Sequence, residues 1–235
     1  MIEDSAFDSA HYGIKIGRVV PTEPADLDAT LATGKARGYA VLFLRVPEEA
    51  PVVAELAARG IVPCERLVTS TLVTPARPPV RASCAIEQLD QVTDPAAIDA
   101  IAALTGESFR NTHLHVDPRL PQDRTRALYA AWARNDVTGR AQRTILAREG
   151  GDIVGYITVV VARDTAVIDL VAVTPARQGA GIGGAMLDAL LEWLATTGLA
   201  ATVGTQADNR ALVLYRRYGF VPTQVHATFH LWLDR

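Results

Sequence analysis

Apolar and polar positions along this chain change period repeatedly, and the changes divide it into alternating strands and helices. Tyr12 to Val20 reads as a strand, and Glu23 to Ala36 as a helix with a polar face. Tyr39 to Val46 is a strongly apolar strand, and Pro47 to Arg59 a second helix, opened by Pro47 and closed by Gly60. Val62 to Val73 is a further strand. The order βαβαβ is that of an α/β unit. A proline-rich stretch, Thr74-Pro-Ala-Arg-Pro-Pro-Val-Arg81, then marks the best boundary, predicting a small N-terminal α/β domain over 1–80 and a larger domain over 81–235.

In the larger part, Ser83 to Val92 is predicted as a strand and Pro95 to Ser108 as a helix capped by Asp94. Phe109 to Asp123 is polar and irregular. Arg124 to Asn135 returns to helix, with Leu128 and Trp132 on one face. Thr144 to Ala147 and Ile153 to Val161 are strands around a Gly150-Gly151-Asp152 hairpin turn. The chain closes with strand Ala200 to Gly204, helix Asp208 to Arg217, and two strands around Phe220 and from Ala227 to Leu233.

Between these lies the stretch the chain is organised around. Ala166 to Val173 is a β-branched, apolar run with the composition of a buried strand. Pro175 stops it, and a loop carries Gln178, Gly179, Gly181, Gly183 and Gly184. Ile182, Met186, Leu187, Leu190, Leu191 and Leu194 then recur at helical spacing as far as Gly198, a helix-closing glycine. A strand, a glycine-rich turn and a helix start form a phosphate cradle, in which the backbone approaches closely and the first N–H groups of the helix face an anion. The loop lacks the Lys-Ser/Thr ending of an ATP-binding P-loop and is not a Gly-x-Gly-x-x-Gly dinucleotide fingerprint.

The N-terminal part carries an echo of the C-terminal part. Gly38 and Gly60 lie 22 residues apart around a strand and helix, and Gly60 opens Gly-Ile-Val-Pro63; Gly198 and Gly219 lie 21 apart, and Gly219 opens Gly-Phe-Val-Pro222. Residues 11–75 thus read as a degenerate half-copy without the glycine loop, or as two ordinary βαβ turns sharing Gly and Pro as punctuation.

Composition narrows the class. Of 235 residues, 49% are hydrophobic and 21% charged, which suits a globular protein with a substantial core. A net charge of −3 provides no electrostatic footprint for nucleic acid or anionic lipid. The only lysines are Lys15 and Lys35, and the only cysteines, Cys64 and Cys84, sit in apolar runs that suit buried thiols in a reducing compartment. Met1 to Ala10 is acidic and has no signal-peptide pattern, and no apolar run is long enough to span a bilayer. The expectation is a cytoplasmic protein with neither membrane nor nucleic-acid partners.

Gln178-x-x-Gly181-x-Gly183 resembles the Gln/Arg-x-x-Gly-x-Gly/Ala pyrophosphate loop of the GCN5-related N-acetyltransferases. A second pattern, Ala211-Leu-Val-Leu-Tyr215-Arg-Arg-Tyr-Gly219-Phe220, resembles the Ala-x-x-Leu-Tyr-x-x-x-Gly-Phe signature of that family, in the same order and at the expected distance. Beyond these, Thr112-His-Leu-His-Val-Asp-Pro-Arg-Leu-Pro121 followed by Leu128-Tyr-Ala-Ala-Trp132 is similar to a stretch of bacterial nucleotide-sugar N-acetyltransferases, the dTDP-fucosamine acetyltransferases among them. The resemblance implies an α/β fold with a mixed central sheet flanked by helices, and acetyl-CoA as co-substrate without a metal.

The same resemblance assigns roles. The backbone of Gln178, Gly179, Ala180, Gly181, Ile182, Gly183 and Gly184 would hold the pyrophosphate. The pantetheine arm would pair with Val171, Ala172 and Val173 like an added strand, and an N–H near Val171 or Ala172 would hold the oxyanion. Tyr215 matches the acid that protonates the departing thiolate, and Tyr218 is its near neighbour in sequence. The family places Asn seven residues before that tyrosine; here Asp208 stands there and Asn209 lies six before, so either the helix starts one residue later or the contact is lost. Arg210 and Arg216 are candidates to reach CoA phosphates, or exposed helix arginines.

For the acceptor side, Arg110, His113, His115, Asp117 and Arg119 are candidate substrate contacts, with His113 and His115 able to bind sugar or phosphate or to act as base. Asp169, the only acid of the central strand, is a candidate base acting through water, or a structural hydrogen-bond acceptor. Metal binding by His113-x-His115 is not expected without further ligands. The leading expectation is acetyl transfer to a small-molecule amine, that of a nucleotide-linked deoxyamino sugar, in a ternary complex, with room for a homodimer. A peptide, protein N-terminus or antibiotic amine is the alternative acceptor, and a non-catalytic acyl-CoA-binding module the alternative class.

Overall fold

A computed structural model of the chain describes residues 1–19, 27–78 and 82–233. The expected helix start at Glu23 and the end of the proline-rich stretch at 79–81 lie outside the described residues. Two compact units emerge. The first combines Met1–Val68 with Asn111–Leu128 and Gln224–Arg235, and the second combines Thr69–Arg110 with Tyr129–Thr223. The units do not follow one cut at the proline-rich stretch, because two strands, β4 (Glu65–Leu72) and β10 (Phe220–Trp232), each contribute to both.

The first unit holds β1 (Ile2–Asp4), α1 (Ala6–Tyr12), β2 (Ile16–Val19), α2 (Leu27–Ala36), β3 (Val41–Pro47), α3 (Pro51–Ala58) and the short α5 (His113–Val116). Its sheet is mixed: β1 runs antiparallel to β2, β2 parallel to β3, and β3 antiparallel to β10 from Pro47↔His226 to Val41↔Trp232. Its core gathers Leu42, Leu44 and Val46 of β3, Phe229 and Leu231 of β10, and Leu56 of α3.

Three expectations here need correction. Tyr12 ends a helix rather than opening a strand, and Gly13, at φ +68°, provides the left-handed turn that closes α1 before β2. Pro47 ends β3, and Pro51 is the proline at the start of α3. The strand expected from Val62 begins only at Glu65, after Pro63.

The second unit holds β5 (Ala85–Leu89), α4 (Pro95–Ser108), the latter part of α6 (Gln122–Asn135), β6 (Arg143–Glu149), β7 (Asp152–Ala162), β8 (Thr165–Val173), α7 (Ile182–Thr197), β9 (Ala200–Gln206) and α8 (Ala211–Arg217). Strands β5 to β8 form an antiparallel meander and β9 adds parallel to β8. Both faces are covered, which is why these strands read as continuous apolar runs. Ile145, Ile157 and Ile168 pack with α7 and α8, whereas Leu146, Tyr156 and Leu170 pack with α4.

Helix α4 starts as expected, with the Asp94 carboxylate accepting from the Ala96 N–H at 3.1 Å and Pro95 in the first turn. The C-terminal pair of strands is instead one 13-residue strand, β10. The four echo glycines all adopt positive φ: +74° and +73° at Gly38 and Gly60, +69° and +91° at Gly198 and Gly219.

Candidate functional site

The glycine loop follows β8 through a 3-10 turn at Pro175–Arg177. Gly179 (φ +83°) and Gly181 (φ +84°) turn the backbone, and Gly181 is the residue from which α7 starts. No side chain caps that start, and the first turn of α7 holds no acidic residue. The first N–H groups of a helix have no intrahelical partners, and their partial positive charge suits a phosphate. Gly183 lies against α8, where an added Cβ would come within 3.1 Å of Leu214.

Gln178 braces the loop rather than only offering its backbone. Its side-chain amide donates to the Val173 carbonyl at 3.2 Å, and its Oε1 accepts from Arg210 at 3.0 Å. Asn209 braces the turn before α8, its Oδ1 accepting from the Ala211 N–H at 2.9 Å. Helix α8 is described from Ala211, two residues after Asn209.

The edge of β8 opens beside this loop. The parallel register with β9 runs from Thr165↔Ala200 to Ile168↔Val203 and no further, although β8 continues to Val173 and stays paired to β7 through Gly155↔Val173. Val171, Ala172 and Val173 thus lie on a stretch of strand without a registered β9 partner.

At the point of divergence β8 holds one extra residue. Thr158 pairs with Leu170 but Val159 pairs with Ile168, so Asp169 is bulged. The Leu170 N–H donates to Thr158 Oγ1 at 3.2 Å, and the Thr158 hydroxyl donates to Asp136 Oδ2 at 2.7 Å. Asp169 Oδ2 accepts from Trp132 Nε1 at 3.1 Å and Arg140 Nη1 at 2.5 Å, and Arg140 also bonds Asp136. Burial, and then the Asp169 charge, push the fully buried Asp136 carboxyl up to about 6 against the opposing pull of Thr158 and Arg140. Asp169 is thereby committed to an ion pair and an indole, which favours the structural-acceptor reading over that of a base acting through water.

Tyr215 lies in α8, 4% exposed and edge-on to Phe220 at 5.9 Å between ring centres. Its hydroxyl has no hydrogen-bond partner among the described residues, and burial alone raises its pKa above the usual tyrosine value. Tyr218 differs in kind. Its hydroxyl donates to the Gly184 carbonyl at 2.9 Å, tying the first turn of α7 to the end of α8. Arg110 is exposed and donates to the Glu107 carbonyl at 2.8 Å.

The irregular segment of the first unit contains a one-turn helix, α5, and a buried polar cluster that sequence reasoning only half found. His230 Nδ1 lies 2.5 Å from Asp117 Oδ2, and His230 Nε2 lies 2.8 Å from His113 Nδ1. Trp232 Nε1 donates to the same Asp117 oxygen at 2.9 Å, and the Arg119 N–H donates to Asp117 Oδ1 at 2.9 Å. The Arg119 guanidinium sits 3.9 Å above the Trp232 ring. His115 turns the other way, its Nδ1 2.8 Å from Thr112 Oγ1. The missed member is His230. Its signal was the alternating face His226, Thr228, His230 and Trp232, polar-tipped at every position, along β10. Among the described residues no group of three or more His, Cys, Asp or Glu is placed to hold a metal ion, and no helix is long and apolar enough to cross a membrane.

Comparison with known proteins gives the family and the fold. Residues 99–220, more than half of the chain, match the acetyltransferase (GNAT) family, and the chain belongs to that family. Members of that family use acetyl-CoA as co-substrate. The spore coat polysaccharide biosynthesis protein SpsD of Bacillus subtilis is 34% identical over 141 residues, covering 59% of this chain and 49% of that protein. The chain thus spans about half the length of this curated relative.

Similar solved structures include a functionally unknown conserved protein of Staphylococcus epidermidis (TM-score 0.66, 13% identity, 93% of this chain and 84% of that one). A tandem GNAT protein from the clavulanic acid biosynthesis pathway aligns with TM-score 0.64 at 17% identity over 94% of this chain and 76% of that one. A GCN5-related N-acetyltransferase of Sphaerobacter thermophilus aligns with TM-score 0.62 at 14% identity over 96% and 75%. These likenesses show the fold, a mixed sheet flanked by helices.

Proposed function

We propose that the chain acetylates a primary amine of a nucleotide-linked deoxyamino sugar by direct attack in a ternary complex. The observation that carries the cofactor side is the early end of the β8–β9 register at Ile168↔Val203, with the glycine loop and the uncapped start of α7 following the open strand. Acetyl-CoA supplies an activated acetyl thioester. The backbone of 178–184 binds its pyrophosphate, the edge of 171–173 aligns its pantetheine arm, and an N–H beside the bulge faces the thioester oxygen. Asp136, Thr158, Arg140 and Asp169 hold the bulge in shape. Asn209 braces the turn before α8, and Tyr215 donates the proton that the leaving thiolate takes.

The sugar acceptor is supported by the relative whose name places it in polysaccharide biosynthesis, and by the similarity of the 112–132 stretch to nucleotide-sugar acetyltransferases, the dTDP-fucosamine enzymes in particular. Arg110, His113, His115, Asp117 and Arg119 are its proposed contacts, Arg119 through the face it shares with Trp232. We also read the N-terminal region as a degenerate half-copy, supported by the matching positive φ values of the four echo glycines.

The test is thiol release from acetyl-CoA against a panel of dTDP- and UDP-4-amino sugars, aminoglycosides and short peptides with free N-termini. Turnover confined to a nucleotide-linked amino sugar is expected. Turnover only with peptides or aminoglycosides would discard the sugar assignment.

A further inference from the structure

The sheet of the first unit has two unlike faces. Leu42, Leu44, Val46, Phe229 and Leu231 belong to its apolar core. Register sets the opposite face in rows. Arg18, Phe43 and His230 lie side by side across β2, β3 and β10, and Arg45 and Thr228 form the next row. The two arginines are therefore diagonal neighbours on adjacent strands of one face.

Each guanidinium is held by a buried acid. Asp8 accepts from Arg18 Nη2 at 2.9 Å, and Glu65 accepts from Arg45 Nη2 at 3.1 Å. Arg45 Nε also donates to Thr228 Oγ1 at 3.0 Å. The arginine side chains nevertheless stay open, 59% exposed at Arg18 and 43% at Arg45. Arg18 Nε and Nη1, and Arg45 Nη1, have no hydrogen-bond acceptor among the described residues. A planar fork fixed by a buried carboxylate is preorganised, and its remaining N–H groups suit the oxygens of a phosphate.

His113 adds the opposite polarity beside them. Glu65 accepts from the His113 N–H at 3.2 Å, which ties the start of α5 to the acid that holds Arg45. Phe43, the neighbour of Arg18 in register, meets the His113 ring edge-on at 5.5 Å. Burial first, then His230 and the Arg45 and Arg18 charges, hold His113 well below 6.5, so its ring is neutral at neutral pH.

The tautomer of that ring follows from its partners. Burial raises the Asp117 carboxyl, but the hydrogen bonds from His230, the Arg119 N–H and Trp232 outweigh it and keep Asp117 ionised. An ionised carboxylate only accepts, so His230 Nδ1, 2.5 Å away, holds the proton. His230 Nε2 then accepts from His113 Nδ1 at 2.8 Å. His113 is left with its lone pair at Nε2, an atom that is not buried and has no partner among the described residues. A lone pair there calls for a donor, and the two forks call for an anion. One ligand meets both demands when it carries a phosphate and a hydroxyl close together.

We propose that this face of the first unit binds a phosphorylated sugar, with its phosphate on Arg18 and Arg45 and a sugar hydroxyl donating to His113 Nε2. Every member belongs to the first unit. Binding there involves no acetyl transfer and stands or falls apart from the acetyltransferase reading.

The test uses the full chain labelled with ¹⁵N at histidine and titrated at neutral pH with glucose 1-phosphate, glucose 6-phosphate, inorganic phosphate and glucose. A hexose phosphate is expected to shift the His113 Nε2 resonance. By calorimetry it should bind about tenfold or more tightly than inorganic phosphate, and glucose should not bind. Hexose phosphate binding that leaves the His113 signal unmoved would place the ligand elsewhere, the glycine loop included, and overturn the site. Absence of binding by both hexose phosphates would overturn it as well.

Arg18→Lys and Arg45→Lys keep a charge beside Asp8 and Glu65 but lose the fork. Each is expected to weaken hexose phosphate binding about tenfold, with the His230 signals retained as the sign of an intact fold. Unchanged affinity in both would sink the proposal. If either variant fails to fold, the His113 resonance of the wild type still decides.

Discussion

Asp169 Oδ2 lies 2.5 Å from Arg140 Nη1, so the single extra residue of β8 is pinned through its side chain. The same guanidinium nitrogen bonds Asp136, whose other oxygen accepts from Thr158, whose own hydroxyl receives the Leu170 N–H. The bulge that ends β8–β9 pairing is thus held by two carboxylates sharing one cation. Arg140→Ala leaves the buried Asp136 without that cation and raises its pKa further. Thermal denaturation should show a loss of several degrees in Tm at pH 8, where Asp136 must ionise, and a smaller loss at pH 5, where it is protonated. An equal loss at both pH values would exclude this role.

Asp136→Asn tests the same pair from the other side. A carboxyl raised from 3.8 to about 6 binds more protons folded than unfolded between those values, so it makes stability fall as pH rises through that window and lowers it at neutral pH. The buried histidines act in the opposite sense, removing stability as pH drops below 6.5. The difference between Asp136→Asn and wild type isolates the first effect. Denaturant titrations should find the variant gaining relative stability from pH 4 to 6 and holding that gain above.

Tyr215 and Tyr218 should separate cleanly. Tyr215→Phe removes a buried hydroxyl with no hydrogen-bond partner among the described residues, so Tm should hold or rise, while kcat falls roughly a hundredfold and acetyl-CoA binding is unchanged. Tyr218→Phe loses the 2.9 Å bond to the Gly184 carbonyl and should cost about 1 kcal/mol of stability with kcat within a factor of about two. The reverse pattern would transfer the acid role to Tyr218.

Gly181 stands at φ +84° where α7 starts, a conformation strained for a side chain with a branched Cβ. Gly181→Val should raise the KM for acetyl-CoA by about tenfold or more, corresponding to about 1.4 kcal/mol of lost binding, and the backbone strain should lower Tm by a few degrees. Calorimetry with CoA checks it directly; unchanged affinity would place the phosphate elsewhere.

Legibility in the sequence followed the range of the forces involved. Helix α4 and its Asp94 cap, the Gly150-Gly151 hairpin and α7 with its closing Gly198 were readable because their signals are local. Strand β1 and helix α1 were missed, being three and seven residues long with too few apolar positions to show a period. The two prolines at 47 and 51 competed for one helix start, and strand pairing with β10 drew Pro47 into β3. Asp169 was singled out, but neither its bulge nor its cation could be foreseen. The bulge is a mismatch between two strands, and Arg140 comes from a different element 29 residues away.

The sequence alone determined the family, the glycine loop, the candidate acid Tyr215 and the strand that precedes them, because the loop and the helix start are contiguous in the chain and their geometry follows from glycine, proline and spacing. Tertiary structure decided which groups are free to act. It left the Tyr215 hydroxyl without a hydrogen-bond partner among the described residues, tied Tyr218 to a carbonyl, and committed Asp169 to an ion pair. It also brought His230 to Asp117 and His113 across more than a hundred residues. Such contacts depend on strand register and on burial without water to compete. Both are properties of the packed chain, and no local pattern encodes them.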